Sequence, residues 1–212
     1  MNLDTIFQEP FVFAAYIVAI LYVLTIHEFS HAFSAYLVGD HTAKDFGRLT
    51  FNPLAHVDIL GFIMLFFAGF GWGKPVPVNP VNFRHPRRDS IIVSVAGPLS
   101  NLLSGIFFLI VIKLLDAYTT LSSGNLLINF IFLLVIINFT LFIFNLLPIP
   151  PLDGSKVLFN ILPSKFDNFK YQLNKYGIWV LFGLLLLDNF LNLGIFRFIF
   201  NAFFSLVAII ID

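Results

Sequence analysis

The chain has 212 residues, of which 58% are hydrophobic and 11% charged, with a formal net charge of zero and no cysteine. A soluble domain of this size would have too few polar groups to cover such a surface, so the composition places the chain in a lipid bilayer. Neutrality and the lack of a basic face give no footing for nucleic acid. Without cysteine there is neither disulfide nor thiolate chemistry, and a metal would have to be held by histidine and carboxylate.

The first apolar run, from Phe11 to Val38, is long enough to span a bilayer as a helix and stops at Gly39-Asp40. No positive charge precedes it and no small-residue cleavage site follows it, so it reads as a retained span rather than a secretory signal. Inside it lies Ile26-His27-Glu28-Phe29-Ser30-His31. Four residues apart on a helix, His27 and His31 share one face and can converge on one Zn²⁺, with Glu28 beside them as a general base.

Ile59 to Phe70 is a shorter apolar run containing Gly61 and Gly69, which suits a re-entrant element as well as a full crossing. The stretch from Gly71 and Gly73 through Lys74-Pro75-Val76-Pro77-Val78-Asn79 resists helix, because proline lacks the donor and glycine favours turns. Val76 and Val78 between prolines suit an extended edge. Backbone of this kind at membrane depth must be buried in protein or line a wet cavity.

Ser90 to Leu115 and Leu126 to Leu147 predict two more spans. The first contains Gly97-Pro98, suited to close packing or a kink, and Asn101. The second runs into prolines 148, 150 and 151, so Asp153 is expected on irregular backbone just past its end. A more polar stretch, 155–175, predicts a short interfacial helix, and 176–187 and 190–211 predict two further apolar pieces divided near Asp188-Asn189.

No Lys or Arg precedes Lys44, whereas basic residues crowd 44–88 and again 156–175. The simplest topology puts the N-terminus outside and both clusters in the cytoplasm, which brings His27, His31 and Asp153 to similar depth near the cytoplasmic face. The expected fold is an all-α polytopic membrane protein of five to six transmembrane or re-entrant segments, with a short membrane-associated β element near 71–79. It forms one integral membrane domain over 1–212, with a core of about 11–156 and C-terminal helices over about 176–211.

A catalytic zinc needs three protein ligands and one open position. Asp153 is the best third ligand, since an ionisable group within the membrane suggests a role by default; Asp58 and Asp188 are weaker. An oxyanion would need a donor beside the zinc, and Asn145 and Asn101 could each serve. His41, His56 and His85 read as solvated loop residues. A zinc-binding transporter is the alternative, but transport has no need of Glu28 beside His27.

These pieces resemble the site-2 protease family of intramembrane zinc metalloproteases. The resemblance rests on His27 to His31, on Gly97-Pro98-Leu99-Ser100-Asn101, on Asn145 through Pro148, Pro151 and Asp153-Gly154, and on the 71–78 stretch, which is similar to the family's membrane-associated β element. It implies one zinc per chain on His27, His31 and Asp153, Glu28 as general base, Asn145 rather than Asn101 at the oxyanion, and cleavage in or near a transmembrane segment of a protein substrate. The chain has too little polar sequence for a PDZ or nucleotide-sensing domain. It resembles the minimal branch of the family, in the inner membrane with its active site toward the cytoplasm and with substrate choice resting on the membrane core or a membrane regulatory partner. A helical substrate hides its carbonyls in its own hydrogen bonds, so the 71–79 edge is expected to pair with the unwound target through the amides of Val76 and Val78.

Overall fold

In the computed structural model, which describes residues 10–68, 71–121 and 124–211, the apolar runs form long helices. These are α1 (Pro10–Leu37), the single-turn α2 (Thr42–Asp45), α3 (Ile59–Ala68), α4 (Pro86–Tyr118), α5 (Leu126–Asn145), α6 (Asp153–Ile161), α7 (Asp167–Leu191) and α8 (Ile195–Ile211). Among the described residues α1, α4 and α5 are long and apolar enough to cross a membrane. With ten residues, α3 is about 15 Å long, half the thickness of the hydrocarbon core. Gly69 lies outside the described residues.

The chain packs as two compact units, Met1–Phe142 and Ile143–Asp212, whose boundary falls within the last turn of α5. In the first unit, α1 packs chiefly on α4. Its buried stripe includes Ala19, Ile20, Val23, His27, His31, Ser34 and Ala35, recurring at helical spacing, so the two histidines lie on the stripe that also builds the core. The facing stripe of α4 recurs every fourth residue, at Asp89, Val93, Gly97, Asn101 and Gly105. Small residues let these backbones approach closely. A Cβ at Gly105 would sit 2.7 Å from the ring of Phe139 on α5. Ala19, Ile20, Val23, Leu134 and Ile137 complete the apolar core.

The ends of these helices are fixed locally. Gly39, at φ 110°, turns the chain so that Asp40 N–H reaches back to Ala35 O at 2.9 Å. Asp58 accepts from Gly61 N–H at 2.8 Å and so caps the start of α3. Asp89, in the first turn of α4, turns its carboxylate back onto His85 N–H at 2.8 Å.

No strand forms among the described residues near 71–79. The segment makes an isolated antiparallel bridge between Val57 and Gly73, with Lys74 N–H donating to His56 O at 2.8 Å. Prolines at 75 and 77 remove the donors that a longer ladder would need. A Cβ at Gly61 would overlap the carbonyl of Trp72, and one at Gly71 would overlap that of Gly61, so the glycines let α3 and the segment run backbone to backbone.

In the second unit the chain is more regular than its prolines suggest. Asp153 opens helix α6 instead of hanging on irregular backbone, with Leu152 as N-cap and a Gly154 whose Cβ would overlap the carbonyl of Leu146. The division between the last two helices falls at 192–194, beyond the expected Asp188-Asn189, because Asn192 takes the left-handed conformation at φ 50° and Asp188 Oδ1 accepts from Ile195 N–H at 2.6 Å.

Candidate metal centre

The orientation of both histidines is set from the side away from their partner. His31 Nδ1 lies 2.7 Å from the carbonyl of Val93, which only accepts, so Nδ1 carries the proton. His27 Nδ1 lies 2.6 Å from Asn101 Oδ1. The amide of Asn101 is itself fixed, since its Nδ2 donates to Asn138 Oδ1 at 3.2 Å and to Val23 O at 3.4 Å, while Asn138 Nδ2 donates to Leu134 O at 2.8 Å. Donation thus runs unbroken from α1 through α4 to α5, ending on Leu134 O, and His27 also carries its proton on Nδ1.

Both Nε2 atoms then present lone pairs, and they lie 3.1 Å apart. Lone pairs at that distance repel unless a positive centre takes both. Two nitrogens at zinc-ligand distance on a tetrahedral ion stand about 3.3 Å apart, close to what is seen. Space is provided as well: a Cβ at Gly97 would overlap His31 Nε2 and lie 2.7 Å from His27 Nε2, so only glycine leaves this cradle open. The donor set, its tautomers and the cradle all fit a zinc ion.

Glu28 stands next along α1, and its Oε2 accepts from Val76 N–H at 3.1 Å. That bond bears on the expected substrate edge, because the Val76 amide is committed to Glu28 instead of being open to a substrate. The 71–79 segment is anchored at other points too. Asn79 N–H donates to Asp40 Oδ2 at 2.7 Å, and Arg48 donates to the carbonyls of Lys74 and Pro75. Asp40 is fully buried. Burial alone would raise its pKa, but hydrogen bonds from Thr42, Asn82 and Asn79 hold it below the ordinary carboxylate value. Gly73 approaches the same carboxylate, and a Cβ there would lie 3.7 Å from Glu28 Oε1.

Asn101 is fully buried, and its hydrogen bonds are those that orient His27, which leaves it no donor for an oxyanion. Asn145 is the last residue of α5 and is half-buried. Asp153, in the second unit, is buried and 2.9 Å from Lys156 Nζ. Asp58 and Asp188 serve as helix-end acceptors, as described above. His41 and His85 are exposed, but His56 is fully buried and donates through Nε2 to Thr50 O at 2.8 Å, so the expectation of a solvated residue fails there. Sequence reasoning missed Arg48, Asn138 and Asp40. For Asn138 a signal existed, an amide inside a charge-free span.

The Peptidase family M50 model matches residues 15–187. The chain is 40% identical over 184 residues to the protein named "Putative zinc metalloprotease YwhC" from Bacillus subtilis, covering 84% of this chain and 83% of that one. It is 35% identical over 150 residues to "Putative zinc metalloprotease Rip2" from Mycolicibacterium smegmatis and 37% identical over 155 residues to the protein of the same name from Mycobacterium tuberculosis. These matches cover 68% and 69% of this chain and little more than half of each Rip2 protein, 55% and 57%. No solved structure matches. The histidine pair beneath Gly97 and these relatives give one answer: the chain belongs to peptidase family M50, the site-2 proteases, and is an intramembrane zinc metalloprotease.

Proposed function

We propose that His27, His31 and Asp153 hold the zinc, that Glu28 is the general base, and that the protein cuts peptide bonds in or near transmembrane segments of membrane proteins. The convergence of the two Nε2 atoms on the space left by Gly97 carries this reading. A buried carboxylate is the donor type that would bring two histidines to the three ligands of a catalytic site. Zinc, when bound, supplies the Lewis acidity that makes water nucleophilic near neutral pH and polarises the scissile carbonyl.

The residues of the chain do the rest. Glu28 takes the proton of the attacking water and returns it to the leaving amine, with Val76 N–H keeping its carboxylate in place. Asn145 donates to the oxyanion, since Asn101 is engaged with His27. The basic residues at 44–88 and 156–175 favour a cytoplasmic site in the inner membrane, where water can reach zinc. The part of the 71–79 edge left for a substrate centres on Val78, and substrate choice rests on the membrane core or a membrane partner. Nothing observed favours the zinc transporter. The test is zinc content and proteolysis measured together: Glu28→Gln should keep about one zinc per chain and lose cleavage, and His27→Ala with His31→Ala should lose both.

A further inference from the structure

Arg48 follows α2, and its guanidinium is buried, with the residue only 6% exposed. Its Nη1 donates to Pro75 O at 3.1 Å and its Nη2 to Lys74 O, so the planar fork holds two consecutive carbonyls. The next peptide N–H, that of Val76, is the one bonded to Glu28. Guanidinium, backbone and carboxylate therefore form one continuous relay.

The segment has little else to hold it at that point. Pro75 and Pro77 have no N–H, and the anchors on either side are Lys74 N–H on His56 O and Asn79 N–H on Asp40. Arg48 is also costly where it sits. Its Nε has no hydrogen-bond partner among the described residues. Burial lowers its pKa, and the negative charge of Glu28 works against that shift.

We propose that Arg48 is a positioning residue for proteolysis, clamping the backbone of residues 74–76 so that Val76 N–H holds the Glu28 carboxylate beside the two histidines. Lysine would not replace it, because an ammonium is a point charge and cannot present the flat fork that grips two carbonyls at once. The proposal rests on Glu28 being the base, and the experiment separates the two.

Full-length Arg48→Lys, loaded with zinc and reconstituted in lipid, is compared with the unaltered chain and with Glu28→Gln. Zinc content, kcat and KM on a transmembrane substrate, and hydrogen exchange at residues 74–79 are measured. Arg48→Lys should keep its zinc and lose about 10- to 100-fold in kcat, with KM within about threefold. The Val76 amide should exchange at least about tenfold faster while α1 stays protected. Full kcat, a loss confined to KM, or a protein that has lost zinc or its protection throughout α1 would overturn the clamp. An active Glu28→Gln overturns the base itself, whereas an inactive Glu28→Gln beside a full-rate Arg48→Lys overturns the clamp alone.

Discussion

Asn101 Oδ1 accepts a hydrogen bond from His27 Nδ1 at 2.6 Å, across the interface between α4 and α1. The contact fixes which nitrogen of His27 faces the space beside Gly97. Replacing Asn101 by Ala removes the acceptor, leaves a buried Nδ1–H to be satisfied and frees the ring to turn. Zinc affinity should fall about 10- to 100-fold, the usual effect of removing an outer partner of a metal-bound histidine. Competition with a chelator of known affinity measures it, and affinity equal to that of the unaltered chain would remove Asn101 from the metal's support.

Gly97→Ala should be more severe. The added methyl overlaps His31 Nε2 and enters the space both histidines face. Helix propensity favours alanine by about 1 kcal/mol, but the pinned rings must shift to admit the methyl, so a chain that still folds, no more stable than the unaltered one, yet binds no zinc is the expected result. Elemental analysis alongside thermal melting in detergent separates the two effects.

Val76→Pro and Val78→Pro should diverge. The first removes the N–H held by Glu28, a bond to a charged group of about 1.5–3 kcal/mol, and should slow cleavage of transmembrane and already extended soluble substrates alike. Val78→Pro spares that bond and should slow the transmembrane substrate selectively. Rates on the two substrate types give the answer; equal behaviour of the two variants would mean that the segment positions Glu28 and nothing more.

How much of this was legible beforehand depends on how local the signal was. His27 and His31 share a face because of helical periodicity alone, and the end of α1 at Gly39 needs only a glycine that takes positive φ. The burial of His56 and Arg48 has no such local mark, since both lie in a polar connection and become interior only when the 71–79 segment folds over them. The same holds for the Val76 amide, whose partner is 48 residues away. For Asp153 the sequence predicts irregular backbone because three prolines just before it announce a helix end, while nothing so plain announces that a new helix starts at once.

Acid should loosen the anchor of the 71–79 segment. Asp40 has a pKa below its ordinary value in the folded chain, so it binds protons less readily folded than unfolded, and its contribution to stability is complete above the ordinary carboxylate pKa and lost as pH falls through the lowered one. Melting in detergent from about pH 7 down to about pH 3 should show that loss. Asp40→Asn should start less stable at neutral pH and show a smaller decline. Parallel curves for the two proteins would remove Asp40 from the acid response.

The central claim is zinc-dependent proteolysis with Glu28 as base, and one comparison tests it most directly. Membrane proteins are profiled by mass spectrometry in cells carrying either the unaltered chain or Glu28→Gln, with the zinc content of both purified proteins measured in parallel. The account predicts that Glu28→Gln retains its zinc while one or more membrane proteins accumulate uncut, their cleavage sites mapping in or beside a transmembrane segment. Equal processing of membrane proteins by a zinc-loaded Glu28→Gln would contradict it.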